Sequence, residues 1–417
     1  MTRLLFVLFF AQDIVNVVLI KLGYTALVTP FSAFKEVMVL AILVLYWVRV
    51  GPERRLSLPS LFLVLAIGLV FANGVLRGVQ RFPLDGVLFE LRTLALPLLL
   101  YFWGRSFVEQ RSQPHAAVEG MIGFYTNVTI VFALSGIVDY FFLGEGFWTA
   151  VDVGAVARAK GYTATTSGPL PDNMYSYFFG RRAFGLAFNP LNLAYMLIPT
   201  LIFTWYRRQW KRFVVAAAPF VLTFSRVPIL ATVGTAMLSL LPVSLRVLAL
   251  AVGALGVAVL VYGFSGTVLA DPSAREHLTD IVVGLFQQLV NPLGEGIGAA
   301  GVYAGNYSTL SVESALLNTA NQMTLLGLVV YVLVLTPGLR RGSPLQHEMR
   351  LMAAIFALTA VFAPQVFVIK STFAFFFFLG ANAALSDRRA RSDERSLAAR
   401  HGEEAAVGQG KTVGLGV

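Results

Sequence analysis

Long apolar runs recur along the whole chain, from LLFVLFFAQDIVNVVLI at residues 4–20 to KSTFAFFFFLGANAAL at residues 370–385. Such runs are too long for strands and lack the period-two alternation of a half-buried sheet. A helix rises about 1.5 Å per residue, so about 20 apolar residues cross about 30 Å of hydrocarbon. Only 13% of the 417 residues are charged, against about 25% in a soluble domain, and mean hydropathy is +0.73. The pattern predicts an all-α, polytopic helical membrane protein with about twelve spans, at 4–20, 34–50, 58–76, 86–107, 120–143, 183–205, 211–224, 227–242, 246–264, 314–336, 350–368 and 370–385. The seventh and eighth runs are short and read as one broken hairpin beside Pro228. Arg3 followed by an apolar run resembles a signal sequence, but Gln12, Asp13 and Asn16 interrupt it, so a retained first span is expected. The membrane domain is expected over residues 1–386, followed by a polar, charged stretch, 387–417, with the composition of a disordered cytoplasmic tail.

The formal net charge of +10 implies no nucleic-acid partner, because cytoplasmic segments of membrane proteins collect Lys and Arg. With both termini placed inside, 20 of the 32 Lys and Arg fall on inner segments. The other twelve lie on the outer side or in the outer part of a span: Lys21, Lys35, Arg77, Arg81, Arg92, Arg158, Lys160, Arg181, Arg182, Arg226, Arg275 and Lys370. Orientation does not explain these. An intramembrane charge is a functional candidate by default, the plainer account being an ion pair that fixes helix packing; Glu90 offers itself to Arg92 and Glu36 to Lys35. Several cations gathered at one leaflet suit a polyanion such as a lipid pyrophosphate. The absence of cysteine excludes disulfides, zinc–thiolate sites and thiol chemistry.

Two loops are long enough to build a site, 144–182 and 265–313, both expected outside. The first is rich in Gly, Ser, Thr and Tyr, a composition shared by sugar-contacting loops and by any wet loop. The second carries DPSAREHLTDIVVGLFQQLVNP, with Asp271 as N-cap, Pro272 at the first helical position and a stop at Asn291-Pro292. Leu278, Ile281, Val282, Leu285, Phe286 and Leu289 recur at helical spacing, which predicts an amphipathic helix with its apolar face on the membrane or on the bundle. The helix runs into NPLGEGIGAAG, where Gly296, Gly298 and Gly301 spell a dinucleotide-binding fingerprint. That fingerprint has meaning only between a strand and a helix. What remains is a glycine loop that lets backbone approach something closely.

Four segments carry a family resemblance. RRAFGLAFNPLNLAYML (Arg181–Leu197) resembles the Arg-x-x-Gly…Asn-Pro motif of O-antigen ligases and O-antigen or exopolysaccharide polymerases, and LTFSRVPIL (Leu222–Leu230) resembles their Ser-Arg turn. AREHLTDIVVGLFQQLVNPLGEGIGAAG (Ala274–Gly301) is similar to their outer loop, and VESALLNTANQMTLLGLVVYVLV (Val312–Val334) to the stretch that opens the following span.

The resemblance implies a glycosyltransferase of GT-C-like fold in the bacterial inner membrane, with its active site on the outer, periplasmic face. It would transfer a glycan from undecaprenyl pyrophosphate to a growing glycan or a lipid-linked acceptor, with inversion, among membrane lipids and beside chain-length regulators or other polysaccharide-assembly proteins. Arg182, Arg226 and Arg275 match the family's pyrophosphate-holding arginines; Arg182 is preferred to Arg181 because it stands three before Gly185. Arg92, Lys370 and the backbone of Gly296 and Gly298 are further substrate-binding candidates. Glu313 stands where ligases carry His, which points to a polymerase and makes Glu313 the first candidate base, with His277 second. No cofactor or metal is called for: the sequence has no Asp-x-Asp, and residues 21–32 hold no carboxylate. The alternatives are an O-antigen ligase and, from another class, a flippase for the same lipid.

Overall fold

The computed structural model describes residues 1–50, 58–155, 170, 174–176, 180–240, 272–300, 314–340, 342–362 and 369–410. These are mostly helical. In order they are α1 (Thr2–Lys21), α2 (Val28–Val50), α3 (Leu58–Arg81), α4 (Leu84–Glu109), α5 (Pro114–Phe142) and the short α6 (Glu145–Val151). A two-stranded antiparallel ribbon follows, β1 (Tyr175–Ser176) on β2 (Gly180–Arg181). Then come α7 (Pro190–Tyr206), α8 (Trp210–Leu222), α9 (Arg226–Leu240), α10 (Pro272–Val290), α11 (Ala315–Met323), α12 (Leu325–Leu335), α13 (Gln346–Phe362) and α14 (Ile369–Gly410). The predicted ninth run, 246–264, lies outside the described residues.

Helix α14 is the axis of the bundle. Phe373 and Phe375–Phe378 are all buried, as expected of a helix apolar on every side. Phe6 of α1 meets Phe373 and Phe377 edge-on, with centroids 5.0 and 4.9 Å apart; Trp103 of α4 meets Phe377 at 4.9 Å and Phe203 of α7 meets Phe378 at 5.1 Å. Contact with α4 is backbone to backbone. A Cβ on Gly104 would stand 1.9 Å from the carbonyl oxygen of Phe377, and one on Gly380 would stand 1.8 Å from that of Tyr101. Small residues that let helices touch are how membrane helices gain van der Waals contact where lipid removes the hydrophobic drive.

The interior is largely apolar but also encloses polar groups, and large apolar side chains cover the outside of the helices. Gln12, Asp13, Asn16, Glu90, Asp139 and Asn382 are buried, while Val37, Leu40, Val44, Leu65, Leu69, Val131, Leu134 and Phe141 are exposed along the helices. Among the described residues, α1, α4 and α5 are long and apolar enough to cross a membrane, and the bent pair α11 and α12 makes a fourth if it is one span.

Two expectations are corrected. The tenth run is not one straight helix: α11 and the helical segment Leu325–Leu339 meet at 117°. The break falls at Thr324, whose φ is 77° and whose hydroxyl caps the second helix by accepting from the Gly327 amide at 3.0 Å. Its cause is the polar sequence NTANQ, which turns into the protein interior instead of facing lipid. The second correction concerns the tail, which is helical as far as Gly410, as a continuation of α14. Asp387 accepts from Arg105 and Arg340 at 2.7 and 2.9 Å, and Arg388 donates to the carbonyls of Glu109 and Arg111. The stretch is rich in Ala, Arg and Glu, good helix formers, and it extends a helix already nucleated.

Long-range ion pairs gather toward two ends, while Tyr125, Thr129 and Tyr331 make polar contacts between helices in the middle of the bundle. One end holds the Asp387 cluster together with Arg207, which pairs with Glu119 at 2.7 Å and Glu348 at 3.3 Å. The charge pattern of the sequence assigns that end inside. The other end, assigned outside, carries the α5–β2 and α8–α9 connections and the start of α10.

Candidate functional site

At the outer end the Arg-x-x-Gly…Asn-Pro segment is built as a corner. Asn189 caps α7, its side chain accepting from the amides of Leu191 and Asn192 at 2.8 and 3.3 Å, with Pro190 at the first helical position. Gly185 has φ +47°, and a Cβ there would stand 2.5 Å from Ser135 Oγ and 2.6 Å from Gly136 N. This glycine presses the corner onto α5 and thereby sets where the two preceding arginines point.

Those neighbours diverge. Arg181 turns to Asp139, a carboxylate with no exposed surface near the end of α5. The Arg181 guanidinium reaches Asp139 Oδ1 at 2.5 Å and the Tyr140 carbonyl at 3.2 Å. The same carboxylate accepts from Trp148 Nε1 at 2.6 Å and from the amides of Phe184 and Gly185 at 2.9 and 3.0 Å. A buried carboxylate with four donors is a structural anchor. Arg181, the less preferred of the two substrate-binding candidates, serves in this structure as a strut of the corner.

Arg182 turns the other way, toward the α8–α9 turn. Its Nε donates to the Thr223 carbonyl at 2.7 Å and a terminal nitrogen donates to Ser225 Oγ at 2.6 Å, while its own amide donates to the Met174 carbonyl. Thr223 and Ser225 are buried, Phe224 between them has φ 46°, and Thr223 Oγ1 bonds the Phe220 carbonyl. The next residue is Arg226, exposed at the first position of α9. Burial, and then the positive charge of Arg226, lower the Arg182 pKa to about 10. Two of the three arginines singled out in the sequence thus lie within electrostatic reach of one another. Arg182 is held by neutral oxygens, and a cation acts on it.

The remaining candidates fall as follows. Arg92 stands 2.5 Å from Glu36 and not with Glu90, joining α4 to α2, and its guanidinium lies 5.6 Å from the Phe89 ring. Gly296 and Gly298, candidates for substrate-binding backbone, stand at tightly packed positions. Their φ values are +108° and +105°, and a Cβ on Gly296 would stand 2.6 Å from the Gly78 nitrogen of α3. In return Gly78 accommodates the Ile297 carbonyl oxygen, 2.1 Å from where its own Cβ would be. The Ile297 amide donates to the Gly74 carbonyl and the Gly298 amide to Gln322 Oε1. Arg77 donates to the carbonyls of Leu293 and Gly294, and Arg81 pairs with Glu295, so these two outer cations also hold the loop.

Helix α10 forms as expected, and Val282, Leu285, Phe286 and Leu289 are exposed on it. The expectation left its apolar face to membrane or bundle; this exposure leaves it to the membrane. Arg275 and His277 lie in the first turns of α10 and Lys370 begins α14, but the side chains of all three lie outside the described residues, as does Glu313 entirely.

Sequence reading missed Asp139, Thr223 and Ser225. Asp139 left a signal, a carboxylate near the end of an apolar run; the two hydroxyls left none beyond their place in the Ser-Arg turn. In comparisons with known proteins, no family model matches the chain, no curated protein is similar to it, and no solved structure matches its fold. The functional reading therefore rests on the residues alone.

Proposed function

We propose that this chain is an inner-membrane glycosyltransferase of about twelve spans and GT-C-like design, with both termini in the cytoplasm and its site at the outer face. It extends a surface polysaccharide, O-antigen or exopolysaccharide, from an undecaprenyl pyrophosphate-linked glycan. The observation that carries this reading is the Arg182–Arg226 pair. Two guanidiniums within electrostatic reach beside a buried turn can both donate to one polyanion, and they stabilise it most when that anion gains charge. In the reaction an acceptor hydroxyl attacks the anomeric carbon from the face opposite the pyrophosphate. The carbon–oxygen bond to phosphate breaks, and its electron pair leaves on the pyrophosphate against Arg182 and Arg226, with Arg275 the third donor. The hydroxyl proton passes to a carboxylate, for which Glu313 is the candidate.

One observation favours the flippase reading, the bent α11–α12 pair, since transporters bind substrate at discontinuous helices. Transporters of that kind repeat the break in both halves. Among the described residues this pair is the one bent span, and α1, α4 and α5 are continuous. The transferase is therefore preferred.

The test is purified protein in liposomes with a lipid-pyrophosphate-linked oligosaccharide. Chain growth with release of carrier lipid, lost in Arg226→Ala, supports the polymerase. Transfer only to a lipid A core acceptor indicates the ligase, and translocation without bond cleavage indicates the flippase.

A further inference from the structure

Helix α11 carries Ser314, Asn318, Asn321 and Gln322 at positions i, i+4, i+7 and i+8, which places them on one stripe of the helix, counting the N-cap Ser314. All four are buried. The ends of the stripe are bonded: Ser314 Oγ donates to the Ala360 carbonyl of α13 at 3.2 Å, and Gln322 Oε1 accepts from the Gly298 amide at 3.0 Å. The middle differs. Asn318 Oδ1 and Asn321 Nδ2 have no hydrogen-bond partner among the described residues, though the two residues are only 6% and 2% exposed. Buried polar groups are normally satisfied, and an unpaired donor and acceptor three residues apart on one helix call for an explanation. Backbone on both sides holds them in place, because Asn321 accepts from the Glu295 amide through its carbonyl and Thr324 fixes the bend.

We infer that Asn318 and Asn321 form a hydroxyl-recognising subsite for a sugar ring. The chemistry is selective: one atom accepts and the other donates, and both are neutral. A cation wants oxygens only, and a phosphate wants donors and positive charge. A hydroxyl donates and accepts, so neighbouring hydroxyls of a sugar satisfy both amides at once. The location agrees. Ser314 bonds α13 near its outer end, and α9, which begins at Arg226, packs on that same helix. The subsite therefore lies toward the arginine pair, and its assignment to a glycan rests on the transferase reading.

The test uses the full chain in nanodiscs, with saturation-transfer NMR against glucose, galactose and N-acetylglucosamine, and a separate titration with inorganic pyrophosphate. At least one saccharide is expected to bind. The double variant Asn318→Leu with Asn321→Leu weakens that binding by about tenfold or more, the ratio of a lost hydrogen bond, and leaves pyrophosphate binding unchanged. The same variant keeps or raises the melting temperature, because an apolar group of similar size replaces an unpaired amide. Saccharide binding unchanged in the variant, or no saccharide bound by the wild type, overturns the inference. A marked fall in melting temperature also overturns it, since the amides would then have structural partners. Should saccharide bind as described while pyrophosphate does not, the subsite stands and the pyrophosphate-dependent transferase reading fails.

Discussion

Asp139 and the Thr223–Arg226 turn lie on either side of two adjacent arginines and treat them in opposite ways. Arg181 neutralises a buried carboxylate. Arg182, next in sequence, is drawn onto a carbonyl and a hydroxyl, where burial and Arg226 both oppose its charge. At the other end of the bundle Arg105 and Arg340 follow the first pattern on Asp387 and Arg207 on Glu119 and Glu348, while Arg388 donates to the carbonyls of Glu109 and Arg111. What distinguishes Arg182 from Arg181 is its surroundings: a second guanidinium acts on it, where a buried carboxylate receives Arg181. Depth does not separate them: both arginines of the corner are partly buried.

The strongest test of that contrast is Arg181→Ala. It leaves Asp139 buried without its counter-charge and is expected to lower stability by about 3–5 kcal/mol, measured by thermal unfolding in detergent. Asp139→Asn in the same chain should recover part of the loss, and an unperturbed melting curve for Arg181→Ala would erase the distinction. Arg226→Ala is expected to reduce glycan transfer on the order of 10²-fold, as removal of a transition-state donor does. Its melting temperature should stay level or rise slightly, because a repulsion acting on Arg182 is removed. Gly78→Ala brings a methyl against the Ile297 carbonyl and should cost about 1–3 kcal/mol. Transfer per folded molecule should hold, which separates the glycine loop's packing role from a binding role. Arg207→Ala at the inner end should cost no more than about 1 kcal/mol, since Glu119 is more than half exposed.

The smallest effect at neutral pH concerns proton linkage. The folded pKa of Arg182, lowered to about 10, lies below its ordinary value, so between the two the unfolded chain binds more protons. Stability from this group therefore rises with pH across that window. Arg182→Met should flatten the rise in stability as pH climbs above about 10, followed by SDS-induced unfolding.

Much of the helical layout was legible beforehand. The bounds of α10 follow from Pro272 and Asn291-Pro292, and the α8–α9 hairpin from its short runs beside Pro228. The preference for Arg182 over Arg181 came from spacing to Gly185, and the structure shows the two arginines turning opposite ways at the corner built on that glycine. The break at Thr324 was not legible, because NTANQ within an apolar run has the same hydropathy whether the helix bends or not. Nor was the ion pair of Arg92 with Glu36, since the sequence offers Glu90 to Arg92 and Glu36 to Lys35, and only the packing of α2 on α4 brings Glu36 to Arg92.

Composition and periodicity by themselves determined that the chain is helical and that its apolar faces meet lipid, because both follow from local preference and from the cost of exposing backbone to hydrocarbon. Tertiary structure alone decided which arginines meet carboxylates, which lie within electrostatic reach of one another, and which glycines pack against backbone. Coulombic and steric effects act over a few ångströms in space, and residues that far apart in the fold stand tens to hundreds of positions apart in the sequence.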